Sequence, residues 1–368
     1  MNIFNEEFKI EFYKNHFQKN YLYKPGIVEN YKNIMSMEIL NKMLSIKNIW
    51  NNKNFIMMLD RKRINYSEFS KPNLDTTGNN LRPDPKNVQK LISKGASIIL
   101  NDIEIHSPEL SDLANIFQLN THGRCQGNLY FSMESHQAFG PHCDKHDVFA
   151  IHFEGEKTWN IYEKIENNPI NHPVFEYSAE ERIKRSGKLV NQIKMKPGDL
   201  LYIPRGQYHD ALASKNGAIH IAFGLTYFKP IDLVSALWEK IILNDYMRGD
   251  IKTNSNKNEI KEILSKISQQ FELIINNDET SNILQSSMKN WPYEIENYTL
   301  KDLVSEGKRF YVSKGINLKK INTELFLTNG KDKVKVPDNY CLLTEFIIKE
   351  EYFTFKSIRG KFPKISDE

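Results

Sequence analysis

Two short stretches of the chain carry the residue types that can do chemistry. The first is Gly140-Pro141-His142-Cys143-Asp144, leading through Asp147-Val148-Phe149 to Gly155-Glu156-Lys157-Thr158-Trp159. The second is Pro197-Gly198-Asp199, then the apolar run Leu200 to Ile203, then Pro204-Arg205-Gly206-Gln207-Tyr208-His209. Side chains two apart on an extended strand point the same way, so His142 and Asp144 can hold one ion. His209, just after the second apolar run, is the candidate third ligand. Two imidazoles and a carboxylate on one face of an octahedron leave three positions open, as in non-haem Fe(II) oxygenase centres. Three protein ligands plus water describe a catalytic zinc site equally well. A His-x-Asp pair by itself is common and carries little weight without its surroundings.

Those surroundings include Lys157. Strand alternation groups it with Trp159 and Ile161, which sets an ammonium among apolar side chains. Such a lysine must meet an anion or bear a large desolvation cost. A dicarboxylate would supply the anion. The plainer alternative is a lysine on the outer, solvated face of the sheet. Cys143, between the two ligands, points away from the metal by strand parity and reads as packing. His136, His146 and His152 read as surface or supporting groups.

The elements that position these residues follow from periodicity. Residues 6–21 place Phe8, Phe12, Tyr13 and Phe17 at helical spacing, and Tyr21 to Gly26 is a short extended piece stopped by Pro-Gly. A helix is expected over 35–49, strands over 54–66, and a loop from Asn73 to Pro85. Val88 to Ser93 and Pro108 to Leu119 read as helices, with a strand at Ala96 to Leu100 between them. Short strands follow at 128–133, 147–153, 157–162, 200–203 and 218–227, punctuated by Gly and Pro. That pattern indicates a double-sheet jelly roll. After Pro230 the apolar residues change to helical period as far as Met288. Beyond Trp291-Pro292 come strands at 310–312 and 324–328, a turn at Asn329-Gly330 and a helix over 339–349.

Bulk properties narrow the class. At 368 residues, two or three folding units are expected. The net charge of +4 arises from 50 basic and 46 acidic residues, a near balance that disfavours a dedicated nucleic-acid binder. The lysines of the last 60 or so residues are diluted by acids, so they read as a solvated face. No run approaches the ~18 apolar residues of a membrane span. Three widely spaced cysteines and an N-terminus without a secretion signal point to a reduced, cytoplasmic protein.

The run Gly127-Asn128-Leu129-Tyr130-Phe131-Ser132, then Gly140-Pro141-His142-Cys143-Asp144, then Gly155-Glu156-Lys157-Thr158-Trp159-Asn160-Ile161-Tyr162 resembles the JmjC (cupin-like) 2-oxoglutarate oxygenases. Pro197-Gly198-Asp199 and Leu201-Tyr202-Ile203-Pro204-Arg205-Gly206 before His209 are similar to that family's distal-histidine strand. Within the family the pattern is nearest to the ribosomal oxygenases and their bacterial kin. The resemblance implies an α+β chain with a double-stranded β-helix (cupin/jelly-roll) JmjC core over 1–230. A helical dimerisation segment over 231–288 and a small winged-helix-like C-terminal domain over 289–368 would follow.

It further implies that His142, Asp144 and His209 bind Fe(II), that 2-oxoglutarate and O2 take the open positions, and that Lys157 pairs with the distal carboxylate of 2-oxoglutarate. Asn128 and Tyr130 match positions lining the cosubstrate pocket. His220 is either a cosubstrate contact or a buried supporting histidine. The implied activity is hydroxylation of a C–H bond on a protein or peptide side chain, with histidine or arginine of a ribosomal protein as candidates and a homodimer as the assembly. The same chemistry on a free amino acid or peptide natural product is an alternative. A ligand-binding cupin without catalysis is another, disfavoured by the intact ligand set. Substrate choice is expected in the loops 73–85 and 167–188.

Overall fold

The computed structural model describes residues 3–46, 48–72, 81–133, 139–292, 295, 310–313, 315–330, 332–350 and 352–363. Most of the expected loop 73–85, His136, and the basic residues Lys308, Arg309, Lys314 and Lys331 lie outside the described residues. The chain divides into two compact units, 1–227 with 292–295, and 228–291 with 296–368.

The first unit is built on one sheet of nine strands among the described residues. Its strands are β1 (Leu22–Lys24), β2 (Phe55–Leu59), β3 (Lys62–Arg63), β6 (Ser97–Leu100), β7 (Arg124–Ser132), β8 (Asp147–Ile165), β9 (Leu189–Met195), β10 (Leu200–Ile203) and β11 (Gln207–Thr226). A separate hairpin pairs β4 (Ser70–Pro72) with β5 (Leu81–Pro83). The order is β1-β10-β8-β11-β7-β6-β2-β3, with β9 added on β8.

The long strands β8 and β11 run antiparallel through the centre. The first half of β8 pairs with β10 and the second half with β9, while β11 pairs with both halves. Sequence reading expects two strands, 147–153 and 157–162, joined by a turn at Gly155. The structure instead has one strand of 19 residues, because β11 bends with it and keeps the ladder satisfied. The same correction applies to β11, which runs unbroken from Gln207 through His209 to Thr226.

The bend decides which side chains face inward. Before it, Phe149, Ile151 and Phe153 pack into the larger core, whereas Val148 and Ala150 pack into a smaller one inside the barrel. After it, Trp159 and Ile161 join Val148 and Ala150. Strict alternation would have sent these odd-numbered residues outward with Phe149. Gly155 at φ +67°, opposite a register shift on β11 between Ala213 and Ala218, switches the parity. A side chain there would strike the Gly217 carbonyl: an added Cβ would lie 1.9 Å from that oxygen.

The N-terminal helix Glu6–Glu11 and the π-helical turn Phe12–His16 cover the outer face. Their Phe8 and Phe12 stack together, and Phe12 meets Phe149 and Tyr202 of the sheet. The helix Pro108–Thr121 adds Phe117, stacked on Phe149 at 4.6 Å. Residues 167–188 are not simply a loop. They hold a 3-10 turn, Pro173–Phe175, and a helix, Ala179–Ser186, started by a Ser178/Glu181 capping box.

The second unit contains helices Pro230–Ala236, Trp238–Ile241, Lys257–Ile275 and Asp278–Lys289. A three-stranded sheet follows, β12 (Asn317–Ile321), β13 (Glu324–Thr328) and β14 (Lys333–Lys335), then helices Cys341–Lys349 and Phe355–Lys361. The strand expected over 310–312 is only an isolated bridge between Phe310 and Phe353. No described helix is long and apolar enough to cross a membrane.

Candidate functional site

His142, Asp144 and His209 come together. One potential ligand atom from each lies within 4.8 Å of the others. His142 is not on a regular strand, as parity reasoning assumed, but on an isolated bridge to His209. Reciprocal backbone hydrogen bonds, His142 N–H to His209 O at 3.0 Å and the reverse at 2.8 Å, lock the two histidines side by side. Asp144 follows in irregular backbone, held because Gly206 N–H donates to its carbonyl at 2.9 Å. Three residues on, the buried Asp147 carboxylate accepts from Arg205 N–H at 2.8 Å and from Tyr202 Oη at 2.6 Å. The Pro-Arg-Gly turn thus pins the loop bearing His142 and Asp144 to the strand that leads into His209.

The ring nitrogens are already sorted. His142 Nδ1 sits 2.9 Å from the Gly140 carbonyl, and His209 Nδ1 sits 2.9 Å from the Gln207 carbonyl. A carbonyl only accepts, so each Nδ1 carries the proton and each Nε2 keeps its lone pair for a metal. Burial, with the neighbouring His142 adding to it, pushes His209 down to about 4 against the pull of Asp144, so its imidazole is neutral at physiological pH. His209 Nε2 lies 3.5 Å from Asp144 Oδ2. A carboxylate oxygen and two imidazole nitrogens converging on one point form a donor set suited to a divalent ion of the iron or zinc type.

Beside this point opens a cavity whose empty space, open solvent at its mouth included, is about 530 Å³. Its walls include the three candidate ligands, Tyr130, Phe139, Lys157, Trp159 and His220, with Val148, Ala211 and Ala222 as apolar floor. Lys157 is 6% exposed, and its Nζ has Ser132 Oγ and His220 Nδ1 as neighbours, each at 3.4 Å. No carboxylate pairs with it among the described residues. Burial alone draws its pKa down to about 7. The cationic form therefore lacks an anion that the cavity has room to supply, and a dicarboxylate fits that need.

His220 is 3% exposed, stacks on Tyr130 at 4.7 Å, and is held well below the ordinary histidine range by burial and by Lys157. Asn128 shares a sheet face with Tyr130 and sits opposite Ala222 in the register, but it does not line the cavity. His152 is fully buried opposite His220 rather than on the surface. Cys143 stays outside the ligand group, near Tyr208, and burial raises its thiol to about 11. Sequence reading passed over Ser132, Phe139 and the Asp147 clamp. A buried aspartate three residues after the ligand pair was the available signal for the clamp.

Comparison with known proteins agrees with this geometry. A JmjC domain model matches residues 105–233, the span that holds all three candidate ligands. The bifunctional lysine-specific demethylase and histidyl-hydroxylase NO66 of Dictyostelium discoideum is 29% identical over 217 residues, covering 57% of this chain and 39% of that protein. Its namesake in Drosophila persimilis is 27% identical over 212 residues, covering 57% and 29%. The chain therefore spans well under half the length of these curated relatives.

Among solved structures, Escherichia coli ycfD superposes with a TM-score of 0.56 at 17% identity, over 95% of this chain and 91% of that one. The ribosomal oxygenase YcfD in complex with cobalt and 2-oxoglutarate gives 0.54 at 16% identity, over 95% and 90%. Residues 105–233 of this chain are thus similar to a JmjC domain, and the chain shares the fold of these solved structures.

Proposed function

We propose that this chain is an Fe(II)- and 2-oxoglutarate-dependent oxygenase that hydroxylates an amino-acid side chain of a protein, with a ribosomal protein as the first candidate substrate. The observation that carries the reading is the pairing, in one cavity, of a His142/Asp144/His209 donor set with a buried, anion-less Lys157. His142 Nε2, His209 Nε2 and one Asp144 oxygen would hold the iron. When bound, iron and 2-oxoglutarate would together supply the electrons that reduce O2 to an oxidant able to attack a C–H bond.

Everything else is the work of this chain's own residues. Lys157 offers a point charge to the distal carboxylate, and Ser132 and His220 keep its amine aimed into the cavity. Val148, Ala211 and Ala222 leave no polar group on the floor where water would be held. Tyr130 stacks on His220 and fixes that wall.

The protein-substrate reading is supported by the names of the similar proteins, histidyl-hydroxylase and ribosomal oxygenase. We also read residues 231–288 as a dimerisation segment and 289–368 as a winged-helix-like domain. The helix Lys257–Ile275 buries none of its residues and leaves Ile260, Leu264, Leu273 and Ile275 exposed, which supports a covering partner. The three cysteines are free, in keeping with a reducing compartment such as the cytoplasm.

The test is incubation of the iron-loaded protein and 2-oxoglutarate with ribosomal proteins, and separately with free amino acids, followed by mass spectrometry. A gain of one oxygen on a ribosomal-protein side chain supports the reading. Oxygen gain confined to free amino acids contradicts the protein-substrate part.

A further inference from the structure

Trp159 carries a hydrogen-bond donor that nothing described in the fold uses. Its side chain is 4% exposed and lines the cavity. The indole lies against His209, with ring centroids 5.8 Å apart and planes at 28°, and meets His220 edge-on at 5.3 Å. It therefore touches both a candidate metal ligand and the histidine that flanks Lys157. Its Nε1 is buried and has no hydrogen-bond partner among the described residues.

An indole N–H can only donate, so no rearrangement of protons relieves it. Buried donors without an acceptor are rare, because the group gives up its hydrogen bond to water and gains nothing. The apolar packing around Trp159, from Ile161, Ile193 and Met195, supplies no acceptor either. Two residues back along the strand, on the same inward face, Lys157 is likewise short of an acceptor that carries charge. An indole donor with no acceptor and an ammonium with no counter-charge, sharing a cavity with a carboxylate-and-imidazole cluster, describe a site suited to an oxygen-rich anionic ligand.

We propose that Trp159 is a cosubstrate-binding residue, its Nε1–H donating to an oxygen of the dicarboxylate that Lys157 anchors. The proposal rests on the 2-oxoglutarate reading above. It makes the indole a specificity device: a cavity ligand must present an acceptor to Trp159 as well as an anion to Lys157. A purely apolar tail of the same length would leave the N–H unmet.

The test uses the full chain loaded with zinc(II), which is diamagnetic and does not turn over. Calorimetric titration with 2-oxoglutarate is compared between wild type and Trp159→Phe, which keeps an aromatic ring, though a smaller one, and removes the donor. The variant is expected to bind 2-oxoglutarate about five- to tenfold more weakly, the effect of one lost hydrogen bond, while binding zinc as tightly as wild type.

A second readout is the indole N–H resonance in a nitrogen-15 correlation spectrum. The chain has four tryptophans, so the Trp159 signal is the one missing from Trp159→Phe. If that variant does not fold, Phe substitutions at Trp50, Trp238 and Trp291 assign the signal by elimination. It is expected to move downfield when 2-oxoglutarate is added. An unmoved resonance in a wild-type protein that binds 2-oxoglutarate, or equal affinity in the variant, overturns the role of Trp159 alone. A wild-type protein that binds zinc but no 2-oxoglutarate overturns the cosubstrate reading and this proposal together.

Discussion

Lys157 Nζ and His220 Nδ1 face each other at 3.4 Å inside the barrel, and the protein can charge only one of them. His220 is pushed well below the ordinary histidine range, so it stays neutral and accepts from the lysine. Burial brings Lys157 itself down to about 7. A lysine titrates from cation to neutral amine as pH rises, so the empty site loses its charge on passing upward through about 7. The dianionic cosubstrate should therefore bind most tightly below pH 7 and weaken by about tenfold per unit well above it. Calorimetry from pH 6 to 9 in buffers of different ionisation enthalpy checks both the slope and the expected proton uptake. A flat affinity profile would remove the charge argument.

Replacement of Lys157 by Met keeps the stem and deletes the charge. The KM for 2-oxoglutarate should rise by roughly a hundredfold or more, the order expected for loss of a buried charge-assisted contact. Metal affinity should be unchanged, because Lys157 is not among the ligand group. Arginine at 157 would restore charge as a larger, planar fork beside Ser132 and His220. Its KM should fall between those of Met and Lys.

In the bend of β8 and β11, Gly155 lies directly against the Gly217 carbonyl. A methyl group added at Gly155 would lie 1.9 Å from that oxygen, and the backbone there is left-handed at φ +67°. Gly155→Ala should lower stability by about 2 kcal/mol or more, read by urea or thermal unfolding. It should also displace Lys157, two residues on, and so raise the KM for 2-oxoglutarate in whatever fraction folds. A variant with wild-type stability and KM would mean that the parity switch does not depend on this glycine.

Asp147 touches no metal in this account, yet its carboxylate ties Arg205 N and Tyr202 Oη to the loop of His142 and Asp144. Asp147→Ala should weaken Fe(II) binding by about 10- to 100-fold, the usual effect of removing a group that orients ligands. Asp147→Asn keeps one acceptor and should lie between. Metal titration followed by competition with a chelator measures both.

Much of the site was legible from residue types. The ligand trio and Lys157 stand out because their chemistry needs those residues, and the apolar runs beside them fix strand direction. Less legible was the bend: Phe153-Glu154-Gly155 looks like a turn until the ladder to β11 shows the strand continuing. The parity argument for Lys157 reached the right face because Gly155 resets the alternation, a fact that spacing alone does not contain. The helix Ala179–Ser186 was missed because Ala-Glu-Glu-Arg-Ile-Lys-Arg-Ser has a single large apolar residue, too few for a stripe. Strand β9, Leu-Val-Asn-Gln-Ile-Lys-Met, was missed because only Ile193 and Met195 are buried. Asn128 was placed correctly on its strand face but outside the cavity wall, a distinction set by three-dimensional depth.

The most direct test of the central claim is the rate at which the purified chain converts 2-oxoglutarate to succinate with Fe(II) and O2, in wild type and in His142→Ala. The account predicts metal-dependent succinate formation in the wild type, suppressed by a chelator and restored by added Fe(II). It predicts a loss of at least about a hundredfold in His142→Ala, since removal of one ligand opens the site. Succinate formation that survives the chelator and the His142→Ala change, or a wild type that forms none with Fe(II) and a hydroxylatable protein present, would contradict it.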